Sequence, residues 1–383
     1  TLYNKVPFLK KALSNAPPPR PTGRPKPPAK DGKTAEEEEE EEKKKKKEEP
    51  KKYVLVKFLA MVKNASFSYS QTEGIKLPGF NPYPFILGNN FNQDAPGLPF
   101  ISGSQDPNIR FDLASRGLLS GDTNQNRFYT KAYQTAFNGK ATLEPFRDFR
   151  IELTATRTYR LDERSVFKVS PTSGIYEDQG FQEVGSFQMT SNFWRTALTG
   201  TYLSGGSPIM REFEANRAQV SRQLATEEGR FTGIDTSSDP NRNGYAIGYN
   251  RNNQDVLIHS FLSAYSGKAP SGKLNLFDAI PSVNWRITWN GLSKLKSVKK
   301  FASNVAISHN YTSTVNYNEF RSPLGDSVSL GVNPLDGNYF PKYTISSVTI
   351  NEQFNPLLGI DITFVNNIST KIEYEIVSIY KVD

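Results

Sequence analysis

The feature that most constrains this chain is a two-residue alternation of apolar and polar side chains, sustained over runs longer than an ordinary strand. Tyr133, Phe137, Ala141 and Leu143 alternate with Gln134, Asn138, Lys140, Thr142 and Glu144, and Pro145 to Asp148 then turns the chain. On the return, Phe149, Ile151, Leu153, Ala155 and Tyr159 fall on one side, and Arg150, Glu152, Thr154, Thr156 and Thr158 on the other. Successive strand side chains point to opposite faces, so the pattern predicts an amphipathic antiparallel hairpin with a tight loop.

The device recurs. Trp285, Ile287 and Trp289 alternate with Asn284, Arg286, Thr288 and Asn290. After a connection at Leu292 to Lys300, Val305, Ile307, Tyr311, Val315 and Tyr317 alternate with Asn304, Ala306, Ser308, Asn310, Thr312, Thr314 and Asn316. A last hairpin pairs Val348, Ile350 and Phe354 with Ile360, Ile362, Phe364, Ile368, Ile372 and Tyr374 across Asn355 to Gly359. Its other face is Asp361, Thr363, Asn367, Ser369, Lys371 and Glu373, while Glu352 and Asn366 break the apolar row. Residues 161–184, about 199–282 and 319–342 read as long connections. The longest predicts two helices: Pro208 opens one with Ile209, Phe213, Val220 and Leu224 at helical spacing, and Asn253 caps another that buries Val256, Leu257, Phe261 and Leu262.

Composition excludes several classes. No stretch approaches the roughly 20 apolar residues of a membrane-spanning helix; the best, Tyr53 to Val62, is short and carries Lys57. With no Cys, disulfides, thiol catalysis and Cys-bound zinc are excluded, and two His, His259 and His309, leave little for a metal site. No cofactor is expected. The net charge is +8, but residues 1–52 hold 15 Lys/Arg and 10 Asp/Glu, so five of those eight charges lie there. The rest is nearly neutral, a poor footprint for a polyanion, and no nucleic-acid partner is expected. Residues 17–28 read as a polyproline spacer and Glu36 to Glu49 as a solvated charge block, making 1–52 a low-complexity linker or turn insertion. The chain begins at Thr1 without a readable export signal, and we expect a piece of a longer polypeptide.

Alternation alone does not separate a membrane strand from a sandwich strand. Length does: a run of about 12 residues, rising ~3.3 Å each and tilted ~45°, spans roughly 28 Å, close to the hydrocarbon thickness. Tight turns at one end and long loops at the other are also the asymmetry of outer-membrane barrels. The expected fold is therefore all-β, an antiparallel transmembrane β-barrel segment over residues 53–375 with two helices in a long outer loop, followed by an atypical tail at 376–383. Phe149, Ile151, Leu153, Val305, Ile307, Tyr311, Ile360, Ile362 and Phe364 are expected to face membrane lipid. Asn304, Ser308, Asn310, Thr312, Thr314, Asn316, Arg150, Glu152, Thr154, Asp361, Thr363 and Asn367 are expected to line a wet lumen. Tyr159, Trp285, Trp289, Tyr317 and Tyr374 are expected to form aromatic girdles at the two water-lipid boundaries. A wall of small neutral polar groups holds nothing tightly, as a conduit requires. Four hairpins at most cannot close a wide pore, and open edges in lipid are costly, so further strands must complete the wall.

An enzymatic reading would place Asp255 and His259, an i,i+4 pair, on one helical face, but neither GxSxG nor HExxH accompanies them. His309 falls on the apolar parity of its strand and reads as a packing residue. A fragment of a TonB-dependent transporter or porin moving small solutes, and a secreted sandwich acting as an adhesin, are the other readings.

Seven stretches, in order, carry a resemblance: MVKNASFSYSQTEGIKLPGF at 61–80, QDPNIRFDLASRGLL at 105–119, ATLEPFRDFRIELTATRTY at 141–159, REFEANRAQVSRQLA at 211–225, NNQDVLIHSFLSAYSGK at 252–268, NWRITWNGLSKL at 284–295, and VTINEQFNPLLGIDITFVNNISTKIEY at 348–374. Together they resemble the C-terminal part of the SprA (Sov) family of gliding-motility proteins, the giant outer-membrane translocons of the Bacteroidetes type IX secretion system. The resemblance implies one very large barrel in the outer membrane that exports folded cargo proteins with C-terminal sorting domains. It also implies a lateral opening, a plug protein, a PorV-like shuttle protein and periplasmic factors as partners. The block before residue 52 and the tail from Ile376 depart from the family pattern.

Overall fold

The computed structural model describes residues 61–83, 85–199, 207–270, 274–323 and 331–383. The proline-rich and Glu/Lys stretches before residue 52 lie outside them. A single nine-stranded sheet organises the chain. Its strands are β1 (Val62–Lys76), β2 (Tyr129–Leu143), β3 (Phe149–Val169), β4 (Tyr176–Thr190), β5 (Asn284–Trp289), β6 (Ala302–Arg321), β7 (Thr344–Ile345), β8 (Val348–Phe364) and β9 (Ser369–Val382). All pairings are antiparallel in the order β1-β2-β3-β4-β6-β8-β9, with β5 between β3 and β6 and β7 beside β6. Among the described residues the α-helices are α1 (Leu98–Ile101), α2 (Ile109–Ser115), α3 (Pro208–Glu227) and α4 (Gln254–Ser266), and none is long and apolar enough to cross a membrane.

The β2–β3 hairpin forms where the alternation places it, with Leu143 opposite Ile151 and Ala141 opposite Leu153. Four readings are corrected. Asn355 to Gly359 form no hairpin turn: β8 runs through them from Val348 to Phe364, with a register shift against β9 between Phe354 and Leu358, and the chain turns at 365–368. Residues 161–184 are mostly strand: β3 runs to Val169 and returns as β4 from Tyr176, with a charged zigzag of Arg160, Asp162 and Arg164 taking the place of apolar alternation. Residues 319–342 lose their first part to β6, which extends to Arg321. The tail is no separate unit, because Ile376 to Val382 continue β9 with Val382 opposite Val348.

β4 and β5 share one column of the sheet. β3 pairs with β4 beyond Arg157 and with β5 from Phe149 to Thr154, and β6 likewise meets β5 at Trp285 and β4 at Thr314. Residues 191–283, with α3 and α4, therefore branch off mid-column, and the strand resumes below. Side chains close the break. Thr190 Oγ1 accepts from the Thr156 amide (3.0 Å) and donates to the Ser282 carbonyl (2.8 Å), while the buried Asn284 accepts from the Ser313 amide at 2.9 Å. Each bond satisfies a peptide group that the interrupted ladder would otherwise orphan.

Both expected helices are present. Pro208 sits in the first turn of α3, and Ile209, Phe213, Val220 and Leu224 are buried. Asn253 caps α4 by accepting from the amides of Asp255 and Val256, and Gly267 ends it in the left-handed region at φ 62°. The main core lies between these helices and one face of the sheet. Phe187, Met189, Val315, Tyr317, Val348 and Ile350 come from strands, and Ile209, Phe213, Ile258, Phe261 and Ala264 from helices. Phe277, on the returning segment, wedges among Tyr159, Phe187, Tyr317 and Phe320 at centroid distances of 4.6–5.5 Å.

Replacing Asn284 by Ala removes the acceptor for a buried amide and is expected to cost about 1–3 kcal/mol in denaturant unfolding, whereas Asn284→Asp, which keeps an acceptor, is expected to cost less.

Candidate functional site

The register sorts the expected polar residues onto one face. Arg150, Glu152 and Thr154 stand opposite Thr288, Arg286 and Asn284; Thr288 and Arg286 stand opposite Ser308 and Asn310. Asn304 meets Thr363, and Asp361 meets Ala306, Thr312 meets Gln353, Thr314 meets Asn351 and Asn316 meets Thr349. β1 and β2 extend the face with Ser66, Ser68 and Thr72 beside Lys140, Asn138 and Gln134. Asn367 is the exception: it occupies the β8–β9 turn at φ 65°, a conformation that Asn tolerates, and belongs to neither strand face. Charges on this face neutralise one another locally, as Arg150 does with Glu152 at 2.8 Å. None of its residues belongs to a hydrophobic cluster with the helices.

The opposite face divides into two zones. Toward the tight turns, Phe149, Ile151, Leu153, Trp285, Ile287, Trp289, Ile307, Ile360, Ile362 and Phe364 are partly exposed and take no part in the helical core. Val305 is buried among its strand neighbours. Toward the long loops the same parity continues beneath α3 and α4. Two residues expected at the membrane are corrected here. Tyr311 is fully buried, stacked on Trp285 at 4.5 Å, and Tyr317 is buried in the core because the helices cover that height of the sheet. Tyr159 packs at the edge of the same core against Phe277 and Phe320. Of the expected girdle, Trp289 stands at the tight-turn end of β5, Trp285 lies within the uncovered zone, and Tyr374 is 62% exposed on the edge strand β9.

Glu352, which interrupts the apolar row in the sequence, marks the border between zones. Its buried carboxylate accepts from Tyr311 Oη at 2.7 Å, and Tyr311 Oη in turn accepts from the Phe193 amide at 2.9 Å, tying the first residues of the insertion to the sheet. His309 is a packing residue: its Nδ1 donates to the Leu357 carbonyl at 2.7 Å and its ring lies between Trp285 and Phe354. No protein-family model and no curated protein matches this chain.

Asp255 and His259 are buried on α4, yet no hydrogen bond joins them, and Asp255 Oδ1 has no partner among the described residues. They line a cavity of about 1000 Å³ with Glu228, Tyr249, Tyr339 and Tyr343. Among the described residues no group of three or more His, Asp or Glu is placed to hold a metal. The two groups do not make a proton relay. Burial holds His259 down to about 4, and burial, with the Glu228 charge, raises Asp255 to about 6.

Their contributions to stability oppose each other. The unfolded histidine takes up a proton below its ordinary 6.5 that the folded one refuses until about 4, so its contribution to stability falls as pH drops through that window. The folded aspartic acid keeps a proton up to about 6 that the unfolded one releases near 3.8, so its contribution falls as pH rises through that window. Asp255→Asn is expected to leave only the first slope, and His259→Gln only the second. Each is on the order of 2–3 kcal/mol across its window, read from denaturant midpoints against pH, while the wild type stays nearly flat between the two slopes.

Proposed function

We propose that this chain forms part of the wall of an outer-membrane β-barrel that exports folded proteins carrying C-terminal sorting domains, in the manner of the type IX secretion translocons that its sequence resembles. The observation that carries the reading is the two-faced sheet: an apolar zone outside the helical core, backed by a polar face whose described residues take no part in the apolar clusters formed with the helices. Along β6 the uncovered zone runs from Ala302 to about Tyr311, roughly 23 Å when tilted ~45°, close to the ~25 Å apolar band of outer-membrane barrels. The opposite face mixes Asn, Ser and Thr with charges that pair locally, as Asp162 does with Arg160 and Arg164 and Lys371 with Glu373, a surface that passing polypeptides leave as readily as they meet it. β1 and β9 each have one strand neighbour, so a membrane-embedded wall needs further strands at both edges. Lipid on one face and cargo on the other are then the partners, with a plug protein and a PorV-like shuttle protein at the rims.

The absence of Cys allows a direct test. Single cysteines at Asn304, Thr312 and Thr363 are expected to react with a membrane-impermeant thiol reagent in isolated outer membranes. Those at Ile307, Ile360 and Ile362 are expected to react only with a lipid-soluble one. Labelling without this alternation, or recovery of the protein in the soluble fraction, rejects the wall reading. Deletion of the gene is expected to trap sorting-domain cargo inside the cell; normal cargo release with lost solute uptake points instead to a small-solute transporter.

A further inference from the structure

The tight-turn end of the sheet carries an unbalanced charge. Between Asn290 and Phe301 the β5–β6 connection reads NGLSKLKSVKKF, with four lysines and no acid. It folds as two short 3-10 turns, Gly291–Lys294 and Val298–Lys300, with Leu292 and Leu295 spaced among the lysines. Lys294 reaches Asp148 in the β2–β3 turn, and the same carboxylate lies 3.9 Å from Arg147. Asp148 is thereby committed, and Lys296, Lys299 and Lys300 are exposed with no acidic partner among the described residues.

Apolar side chains accompany them. Leu295 is 53% exposed, Phe301 49% and Phe146 55%, and Phe146 stacks at 4.6 Å on Phe149, the first residue of the uncovered apolar zone. The Asn290 amide donates to the Asp148 carbonyl and the Val365 amide to the Phe301 carbonyl, so the three turns of this end adjoin. The result is a rim in which large apolar groups point out beside unpaired ammonium groups, directly below a strip of strand that water would leave uncovered. Lysine stems lie along apolar surface while their charged heads reach the polar boundary. We infer that this rim is a headgroup site for anionic phospholipids of the leaflet at the tight-turn end, Lys296, Lys299 and Lys300 supplying the ammonium groups and Phe146, Leu295 and Phe301 the acyl-side contacts. The inference rests on the membrane-wall reading and adds to it a lipid class, a leaflet and the residues that select it.

A lysine at an anionic surface gains on the order of fivefold in partitioning, about a hundredfold for three, and the gain is screened by salt. The test is flotation of the full chain with vesicles of phosphatidylcholine alone and of phosphatidylcholine mixed equally with phosphatidylglycerol. The wild type is expected to bind both, more tightly with phosphatidylglycerol, the increment shrinking as salt rises. The variant Lys296→Gln/Lys299→Gln/Lys300→Gln is expected to keep its binding to phosphatidylcholine and lose most of the increment. A control with the same charge change at the other end, Lys76→Gln/Lys168→Gln/Lys342→Gln, is expected to retain it. Equal loss in both variants, or no phosphatidylglycerol increment in the wild type, overturns the headgroup site while leaving the wall reading intact; the latter is also the outcome if an acidic protein occupies the rim. A wild type that floats with neither vesicle overturns the wall reading itself.

Discussion

Everything in this sheet depends on the requirement that no peptide group be left without a partner where the column shared by β4 and β5 is broken. A strand can be interrupted by a folded insertion only if the groups flanking the gap find other acceptors and donors. The Thr190 hydroxyl and the Asn284 side chain supply them, to the peptide groups of Thr156, Ser282 and Ser313, at the place where the chain leaves and re-enters. The insertion is thereby an ornament on a continuous ladder, and strands β3 and β6 run unbroken past the junction. In an apolar surround such a gap would cost several kcal/mol for every orphaned group, so the short hydroxyl and amide side chains at the break are as structural as the ladder itself.

The same alternation serves two surroundings. β6 has 20 residues, which at ~3.3 Å each and a tilt of ~45° cover roughly 47 Å, far more than a ~30 Å hydrocarbon core. In the membrane-wall reading proposed above, strands of this length leave the bilayer, and the apolar side chains beyond it need a cover. Helices α3 and α4 provide one over Val315, Tyr317, Val348 and Ile350, on the side of the sheet that carries the uncovered zone lower down. Glu352 and Tyr311 sit where the cover begins, and their hydrogen bonds to each other and to the Phe193 amide fix the starting point of the insertion.

The β2–β3 hairpin, the strand faces and both long helices were legible in the sequence because each rests on a local period: two for Phe149 to Leu153 and Val305 to Tyr317, 3.6 for Ile209 to Leu224, with Asn253 and Pro208 as start signals. The last hairpin was misplaced: Asn355 to Gly359 resemble a turn but sit inside β8, held there by pairing with β6 and β9 on either side of a register shift. β4 was hidden. Its run, YEDQGFQEVGSFQMT, mixes charge, Gly and Gln on both faces, and it is held by pairing with β3 and β6, not by its own pattern. The burial of Tyr311 and Tyr317 was equally invisible, since a strand's period reports which face a residue joins and says nothing of what covers that face. Phe277 had no signal at all: it stands in an irregular segment and gains its place from the five aromatic rings around it. Glu352 was the opposite case, a break in a regular row that marked a real boundary.

The two edges of the sheet bear on how such a wall continues. Soluble proteins blunt an exposed edge with proline, with inward-pointing charge or with a covering element. β1 between Asn64 and Thr72 has neither charge nor proline, and it exposes Phe67 and Tyr69 beside a row of serines. β9 keeps its Lys371, Glu373 and Glu375 on the polar face, with Lys371 bound to Glu373 at 2.7 Å, and leaves Ile372 and Tyr374 exposed on the other. β1 carries no such defence from Asn64 to Thr72, and the charges of β9 lie on its polar face, two of them paired with each other. From Asn64 to Thr72 in β1 and from Ser369 to Tyr374 in β9, each edge presents the alternation that a neighbour in the same wall would have, while Val377 and Ile379 of β9 add exposed apolar groups on the polar side. An edge of that kind is unfavourable in water and untenable in lipid until it is paired, which makes both edges joints of a larger sheet in the reading proposed above.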